Sequence, residues 1–372
     1  MIKISEAKSK QEMMEFVKFP FSLYKKNQFW VPPIIKDELD TFDKTKNPAF
    51  DNAQATFFVA KLNDTIVGRI AVIINWDEVN FQQKKKVRFG WFDVIDNINV
   101  TQKLIDKVVE IGKNNQLEYI EGPMGFSNLD KVGVLTEGFD HIGTMITWYN
   151  HPYYAVHFEK LGFVTEKEYH ENKFPFENVK LEFFDKAQEL IKKRYQLTPV
   201  NFTKTKDVLP YTDKMFDLFN ASYASLSSFV AISDVQKEYF KKKYLHFINP
   251  EYIKYVEDKM GNLVAFAIVM PSFSKALQKA NGSLFPFGMW HLLRARKHSK
   301  EVVFYLIGVH PEYQNKGVTA ILFKEYHTTF TQKGIQTCIR TPELADNLAI
   351  QLLWRNFFPV IHCKRKTFRK SL

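Results

Sequence analysis

The sequence predicts an α/β (α+β) chain of two tandem units, each with a mixed, mostly antiparallel sheet flanked by helices. Three observations support this fold class. The chain has 372 residues, more than one compact core usually holds. An order of hairpin, strand, helix, strand and helix occurs twice along it. Residues 302–330 join an apolar run, a polar loop and a stretch with apolar residues at helical spacing.

The first unit is predicted to span residues 1–175. It opens with a helix and an extended, proline-containing arm, because each residue before a proline is pushed out of the α region. Apolar periodicity and turn residues then predict its elements: a hairpin over 56–75, a strand over 88–96, a helix over 102–113, a strand over 117–120, and a helix that ends at Gly162.

The second unit is predicted to span residues 176–372. The same signals predict these elements: helices over 180–194, 214–229 and 234–247, a hairpin of 253–257 with 263–270, a strand over 302–309, a helix ending near 330, a strand over 337–339, and a helix over 347–358.

The loop after the strand over 302–309 has the features of an anion site. Loop N–H groups and the positive end of the following helix would converge on one point. Gly317 would let an anion approach the backbone, and Lys316 adds positive charge. The loop residues are Gln314, Asn315, Lys316, Gly317, Val318 and Thr319.

This loop resembles the pyrophosphate-binding loop of the GNAT acyltransferases, Q/R-x-x-G-x-G/A. Gln314, Gly317 and Thr319 occupy the motif positions, with Thr319 departing from the usual glycine or alanine. The resemblance implies acyl-CoA or acetyl-CoA as co-substrate, bound by the loop. It also implies that the bulged strand at Ile307, Gly308 and Val309 holds the pantetheine, and that Asn347 contacts the same arm.

The first unit lacks such a loop. Residues 94–99 contain no glycine, lysine or arginine, and Asp93 and Asp96 would oppose an anion. The sequence therefore predicts a degenerate GNAT-like first unit that binds no CoA. Its glycine-rich insert, residues 122–140, follows a strand end and is the candidate loop on the acceptor side.

No catalytic residue is identified by spacing. The tyrosine that commonly acts as general acid in the family is replaced by Trp354 in the second unit and Phe158 in the first. A general base is needed only to take a proton from an ammonium acceptor. The candidates are His310, Glu121 and Tyr223, with Asp93 and His291 as further alternatives.

Composition bounds the remaining choices. The two cysteines, Cys338 and Cys363, lie in no metal-ligand spacing, so no metal is expected and a cytoplasmic location is the default.

The net charge of +11 favours a polyanionic partner, although no pattern supports nucleic-acid binding. Residues 282–300 combine apolar and basic side chains, which suits peripheral contact with an anionic membrane, an acyl-chain portal, or an insertion packed on the core.

The predicted activity is transfer of an acyl group from a CoA thioester to an amine, with no covalent enzyme intermediate. The insert and the phenylalanine-rich units resemble lipid-related enzymes, and GNAT-type bacterial ceramide synthases suggest a long-chain amino lipid as acceptor. Two alternatives stay open: a Fem-type transferase that uses aminoacyl-tRNA, and a catalytically inactive GNAT-like binding or regulatory protein.

Overall fold

The computed structural model describes residues 1–127, 129–224, 229–245 and 247–372. Their helices are α1 (Lys10–Leu23), α2 (Ile35–Phe42), α3 (Trp76–Asn80), α4 (Ile98–Asn114), α5 (Tyr153–Lys160), α6 (Asp185–Tyr195), α7 (Thr205–Val208), α8 (Thr212–Tyr223), α9 (Asp234–Tyr244), α10 (Ser274–Ala280), α11 (Gly288–His298), α12 (Thr319–Lys333) and α13 (Leu348–Trp354). Their strands are β1 (Ile2–Glu6), β2 (Ala53–Leu62), β3 (Thr65–Asn75), β4 (Lys86–Val94), β5 (Tyr119–Gly122), β6 (Val134–Glu137), β7 (Val164–Pro175), β8 (Thr198–Asn201), β9 (Ile253–Glu257), β10 (Leu263–Pro271), β11 (Glu301–Val309), β12 (Thr337–Arg340), β13 (Glu343–Leu344) and β14 (Val360–Ser371).

These strands form one continuous sheet. Its order is β1-β2-β3-β4-β5-β14-β7-β12-β11-β10-β9-β8, with β6 paired on β14 and β13 paired on β7. The pairs β4–β5 and β11–β12 are parallel, and the other pairs are antiparallel. The predicted α/β class is therefore confirmed.

The two units exchange their last strands. Strand β7 leaves the first unit and pairs with β12, with Cys338 opposite Phe174. Strand β14, at the end of the chain, pairs with β5 of the first unit, with Phe368 opposite Gly122. Strands β7 and β14 also pair with each other along most of their length, so the exchange joins the two units into one sheet. The division between residues 175 and 176 stays a prediction.

Helices cover both faces of the sheet in the second unit. Alternate residues of β10 face opposite sides, as a strand requires. Ala265 and Ala267 pack with buried residues of α12, among them Ile321 and Leu322. Between them, Phe266 packs with residues of α8, which covers the other face. The loop between β11 and α12 is thus supported by a core on each side.

The hairpins were predicted most accurately, and β9 has the predicted bounds. The predicted helices over 214–229 and 234–247 end earlier, at Tyr223 and Tyr244, and residues 225–228 and 246 of them lie outside the described residues. The helix predicted from residue 180 begins at Asp185, after two short 3-10 turns. Strand β14 was not predicted, since its run of lysines and arginines is typical of a solvated tail.

Candidate active site

Strands β11 and β12 separate beside the predicted anion loop. They pair in parallel from Glu301 opposite Thr337 to Phe304 opposite Arg340. Beyond this point β11 continues to Val309, still paired with β10 on its other side. Among the described residues, no strand pairs with the free side of residues 305–309. The carbonyls of Ile307 and Val309 accept hydrogen bonds from the side chains of Tyr223 and Gln314, so the backbone groups on that side that remain available to an extended ligand are mainly N–H groups.

A β-bulge lies where the two strands separate. Ile268 of β10 is opposite Leu306, and Val269 is opposite Phe304, so Tyr305 is the extra residue of β11. The bulge therefore precedes the predicted stretch over 307–309. The Tyr305 hydroxyl donates a hydrogen bond of 3.3 Å to the carbonyl of Leu129, which belongs to the insert of the first unit. This contact brings the predicted acceptor-side loop to the strand that would hold the thioester.

The loop after β11 exposes backbone N–H groups. Asn315 and Gly317 have φ of 60° and 75°, which turns the chain sharply before α12. The amides of Gln314, Lys316 and Ala320 bond to nearby carbonyls. By contrast, the described part of the chain offers no hydrogen-bond partner to the amides of Asn315, Gly317, Val318 and Thr319.

The positive end of the α12 dipole is not neutralised by a capping side chain or by an acidic residue. The residue before the helix, Val318, provides no side-chain cap, and the first turn holds no acidic residue. The positive end of this 15-residue helix is thus free to act on an anion. The exposed Lys316 lies nearby, with its Nζ 5.2 Å from the centre of the Tyr313 ring and 5.4 Å from that of Tyr195. These features fit a pyrophosphate.

Gln314 and Asn347 have structural roles at this site. The Gln314 Nε2 group donates 3.2 Å to the carbonyl of Val309, which ties the loop to the strand end. Asn347 caps α13, since its Oδ1 accepts from the amide of Ile350 at 3.3 Å. Trp354, at the family's tyrosine position, is 1% exposed and packs on aromatic core residues, so it has no access to a leaving group.

Of the predicted catalytic candidates, Tyr223 lies at the strand. Its hydroxyl donates 3.0 Å to the carbonyl of Ile307. Burial raises the pKa of Tyr223 to about 12, so the phenol is protonated at neutral pH. The close approach of α8 depends on Gly308, where a Cβ would lie 2.7 Å from the Oγ of the adjacent Ser222.

Two other candidates, His310 and Glu121, are held in structural contacts. His310 accepts from the amide of Glu312 at 3.3 Å and so caps the turn after β11. Glu121 is 2% exposed on β5 and pairs with Lys86 at 2.9 Å. Four strand positions separate β5 from β11, about 19 Å at the usual spacing. His291 lies on α11, in the segment over 282–300.

Asp93 belongs to a buried network in the first unit. Its carboxylate pairs with Arg69 at 2.7 Å and accepts from the Tyr24 hydroxyl at 2.8 Å. Desolvation pushes the pKa of Asp93 upward, whereas these two partners favour its charged form. The pKa of Asp93 is raised on balance, because burial outweighs the opposing effects of Arg69 and Tyr24.

Asp130 is a further carboxylate near the bulge that sequence reasoning did not identify. Burial first, and the charge of Asp130 second, raise the pKa of Tyr305. The Asp130 carboxylate itself accepts from the amide and the hydroxyl of Ser127, at 2.8 and 3.2 Å. It lies in the insert that the sequence did single out, but no local pattern distinguishes it from the other polar residues there.

The corresponding place in the first unit is closed by the chain itself. Strands β4 and β5 also separate after Arg88 and Glu121. The amide of Met124 then bonds to the carbonyl of Phe89 at 2.8 Å, which fills the gap. At the start of α4, the side chain of Asn97 caps the helix by accepting from the amide of Asn99 at 3.0 Å.

Comparison with known proteins identifies distant relatives and a shared fold. No family model matches the chain. Protein YghO of Escherichia coli K12 is 27% identical over 315 residues, which cover 82% of this chain and 78% of YghO. A bacterial ceramide synthase of Caulobacter vibrioides is 22% identical over 321 residues, which cover 84% of this chain and 82% of the synthase.

Among solved structures, a tandem GNAT protein from the clavulanic acid biosynthesis pathway aligns with a TM-score of 0.59. The sequence identity is 9%, and the alignment covers 100% of this chain and 98% of that protein. In the part of this chain that the structure describes, every helix is too short or too polar to cross a bilayer. The separated parallel strands, the bulge, the loop at α12 and this alignment agree: the chain has the tandem GNAT fold that its loop motif predicted.

Proposed function

We propose that the chain is an acyl-CoA-dependent N-acyltransferase, which moves an acyl group from a CoA thioester to an amine. One observation carries the proposal: the free side of β11 leads directly into a loop whose amides and helix N-terminus lack partners among the described residues. A strand edge followed by an anion site suits a ligand that has amides at one end and phosphates at the other.

Each part of the co-substrate has matching residues. The amides of Asn315, Gly317, Val318 and Thr319, with Lys316 and Gln314 beside them, would receive the pyrophosphate. On the unpaired side of β11, the N–H groups of Ile307 and Val309 would bond carbonyls of the pantetheine, whereas the backbone groups of Gly308, between them, face β10. Asn347 lies at the start of α13, after β12 and the short strand β13, and would contact the same arm.

The chemistry proposed is direct attack. The amine nitrogen attacks the thioester carbonyl carbon, the carbon–sulfur bond breaks, the nitrogen loses one proton as it becomes an amide, and the sulfur takes up one proton. Tyr223 is suited to give that proton, because it is protonated and bonded to the Ile307 carbonyl on the thioester strand. A raised pKa makes it unsuited as a base. Asp130 follows Leu129, whose carbonyl bonds Tyr305 at the bulge, and is the carboxylate that we assign to take the proton from the incoming ammonium.

For the acceptor, we propose a long-chain amino lipid. The relative from Caulobacter vibrioides carries the name bacterial ceramide synthase, and the aligned region covers most of both chains. The neighbourhood of the bulge is also aromatic, since Tyr244 and Tyr305 lie near Asp130 and Tyr223 lies near Tyr305. Aromatic walls with one carboxylate suit an amine that carries an apolar chain.

The test is an acyl-transfer assay with the purified full chain. Acetyl-CoA and palmitoyl-CoA are each combined with a long-chain amino alcohol, a short amine or no acceptor, and release of free CoA thiol is measured. We expect thiol release that depends on the long-chain acceptor, with an amide product in mass spectra. Thiol release with short amines alone would reject the lipid acceptor. No CoA binding and no release with any pair would reject the acyl-CoA proposal and favour the tRNA-dependent alternative.

A further inference from the structure

Helix α11 and the turn before it display large apolar side chains to solvent. Phe285 and Phe287 are 85% and 70% exposed, and Trp290 and Leu293 are 55% and 53% exposed. Within α11, Trp290 and Leu293 are three positions apart and share one face. Such a concentration of exposed aromatic groups on one short segment indicates an interaction surface.

The opposite side of this segment is fixed to the protein. Leu292 is 4% exposed and packs in a cluster with residues of α10 and of the arm before α2. The amide of Ile35 bonds to the carbonyl of Gly282 at 2.9 Å. Arg296 donates 3.1 Å to the carbonyl of Ile248. Core packing, one of the alternatives from the sequence, therefore accounts for Leu292 and leaves the four exposed side chains unexplained.

The same exposed side carries basic residues that have no acidic partner among the described residues. Residues 282–300 contain no aspartate or glutamate. Arg294 and Lys297 are exposed, and no carboxylate of the described residues forms an ion pair with either. The guanidinium of Arg294 lies 5.5 Å from the centre of the Trp290 ring, so the positive charge and the aromatic ring lie side by side on this surface. This arrangement matches a bilayer interface, where aromatic rings enter the headgroup level and basic groups meet lipid phosphates.

We infer that α11 and the turn before it dock the protein on the surface of an anionic lipid bilayer. The helix has 11 residues, about 16 Å long, and would lie in the plane of the interface rather than cross it. The apolar side chains would enter the headgroup region, and Arg294 and Lys297 would contact the lipid phosphates. A protein partner would need matching acidic groups around an apolar centre, whereas an anionic bilayer supplies both at once. The inference stands on this surface alone and does not require acyl transfer.

Vesicle co-sedimentation of the full chain tests the inference. Phosphatidylcholine vesicles with and without phosphatidylglycerol are compared at low and high salt. One variant, F285S/F287S/W290S, removes the aromatic groups; a second, R294Q/K297Q, removes two charges. The matched controls are F81S, which changes a phenylalanine that is 80% exposed elsewhere, and K103Q/K113Q, which removes two exposed charges from α4. Thermal unfolding verifies that each variant is folded.

We expect the wild type and both controls to bind the phosphatidylglycerol vesicles, with binding weakened by salt. The charge variant should bind about thirtyfold more weakly, and the aromatic variant should lose binding. Equal binding by the wild type and both surface variants, or no binding by the wild type, would overturn the inference. So would a change of the sedimentation coefficient in the aromatic variant without vesicle binding by the wild type, since the face would then join two copies of the chain.

Discussion

Replacing Gly317 by glutamate tests the proposed pyrophosphate site most directly. Gly317 is exposed and has φ of 75°, a conformation that costs other L-residues about 1 kcal/mol. A Cβ at this position would lie 2.8 Å from the Cδ1 of Ile191, the flexible end of a side chain that can move aside. The substitution should therefore cost little of the folding free energy.

The effect on CoA binding should be larger. The new carboxylate would lie about 6 Å from a pyrophosphate on the loop amides. In a water-like dielectric, each of two phosphate charges at that distance contributes about 0.7 kcal/mol of repulsion. The sum, about 1.4 kcal/mol, corresponds to a tenfold higher Kd for CoA. The added side chain also obstructs the approach to the Val318 amide, so tenfold is the smallest change that we expect.

The measurement is calorimetric titration of the wild type and Gly317→Glu with CoA and palmitoyl-CoA. Gly162→Glu is the matched control: Gly162 is exposed, has φ of 79°, and an added Cβ there meets nothing within 4 Å. It reproduces the backbone strain and the charge change in the first unit, away from the loop. If Gly317→Glu binds CoA as tightly as Gly162→Glu does, the loop is not the pyrophosphate site.

Two further predictions concern Tyr223 and Lys254. Tyr223→Phe should lower kcat by about ten- to a hundredfold and leave the Kd for CoA unchanged, if the phenol protonates the leaving thiolate; an unchanged kcat would remove it from the mechanism. Lys254 is 3% exposed, and desolvation lowers its pKa from 10.5 to about 8. Because the unfolded chain binds more protons between these two pH values, this lysine should make the free energy of unfolding rise with pH across that interval, by at most about 3 kcal/mol. Lys254→Met should lose that rise in urea unfolding at several pH values, and a wild-type profile in the variant would contradict the prediction.

Features that are local in sequence were predictable. The hairpin of β9 and β10 follows from two apolar runs around a turn, and the loop at α12 from a short motif between a strand and a helix. Strand β14 depends on distant partners instead. Its Arg365 is 2% exposed, pairs with Glu171 and donates to the carbonyl of Trp148 at 2.6 Å. A sequence alone does not separate such a buried, paired arginine from a solvated one, so the strand resembles a charged tail.

The candidate site also combines residues that a local motif predicts with residues that only the fold brings together. Gln314 and Gly317 were found because they are three residues apart in a motif. Tyr223 and Asp130 reach the bulge from α8 and from the first unit, so only the fold brings them to β11. Asn347 was placed by its position in the family and is also a helix cap in the structure.

In the proposed site, the first unit would contribute a segment to the second unit, while its own corresponding cleft is closed. Both units have a parallel strand pair that separates next to a bulge, at Trp91 in the first and Tyr305 in the second. In the first unit a Cβ on Gly90 would lie 2.3 Å from the carbonyl oxygen of Met124, so the segment that begins the insert occupies the space that a pantetheine would need. That same insert then continues to Leu129, whose carbonyl binds Tyr305. One stretch of chain therefore closes the first cleft and would line the proposed site of the second unit, and the paired strands β7 and β14 join the two units.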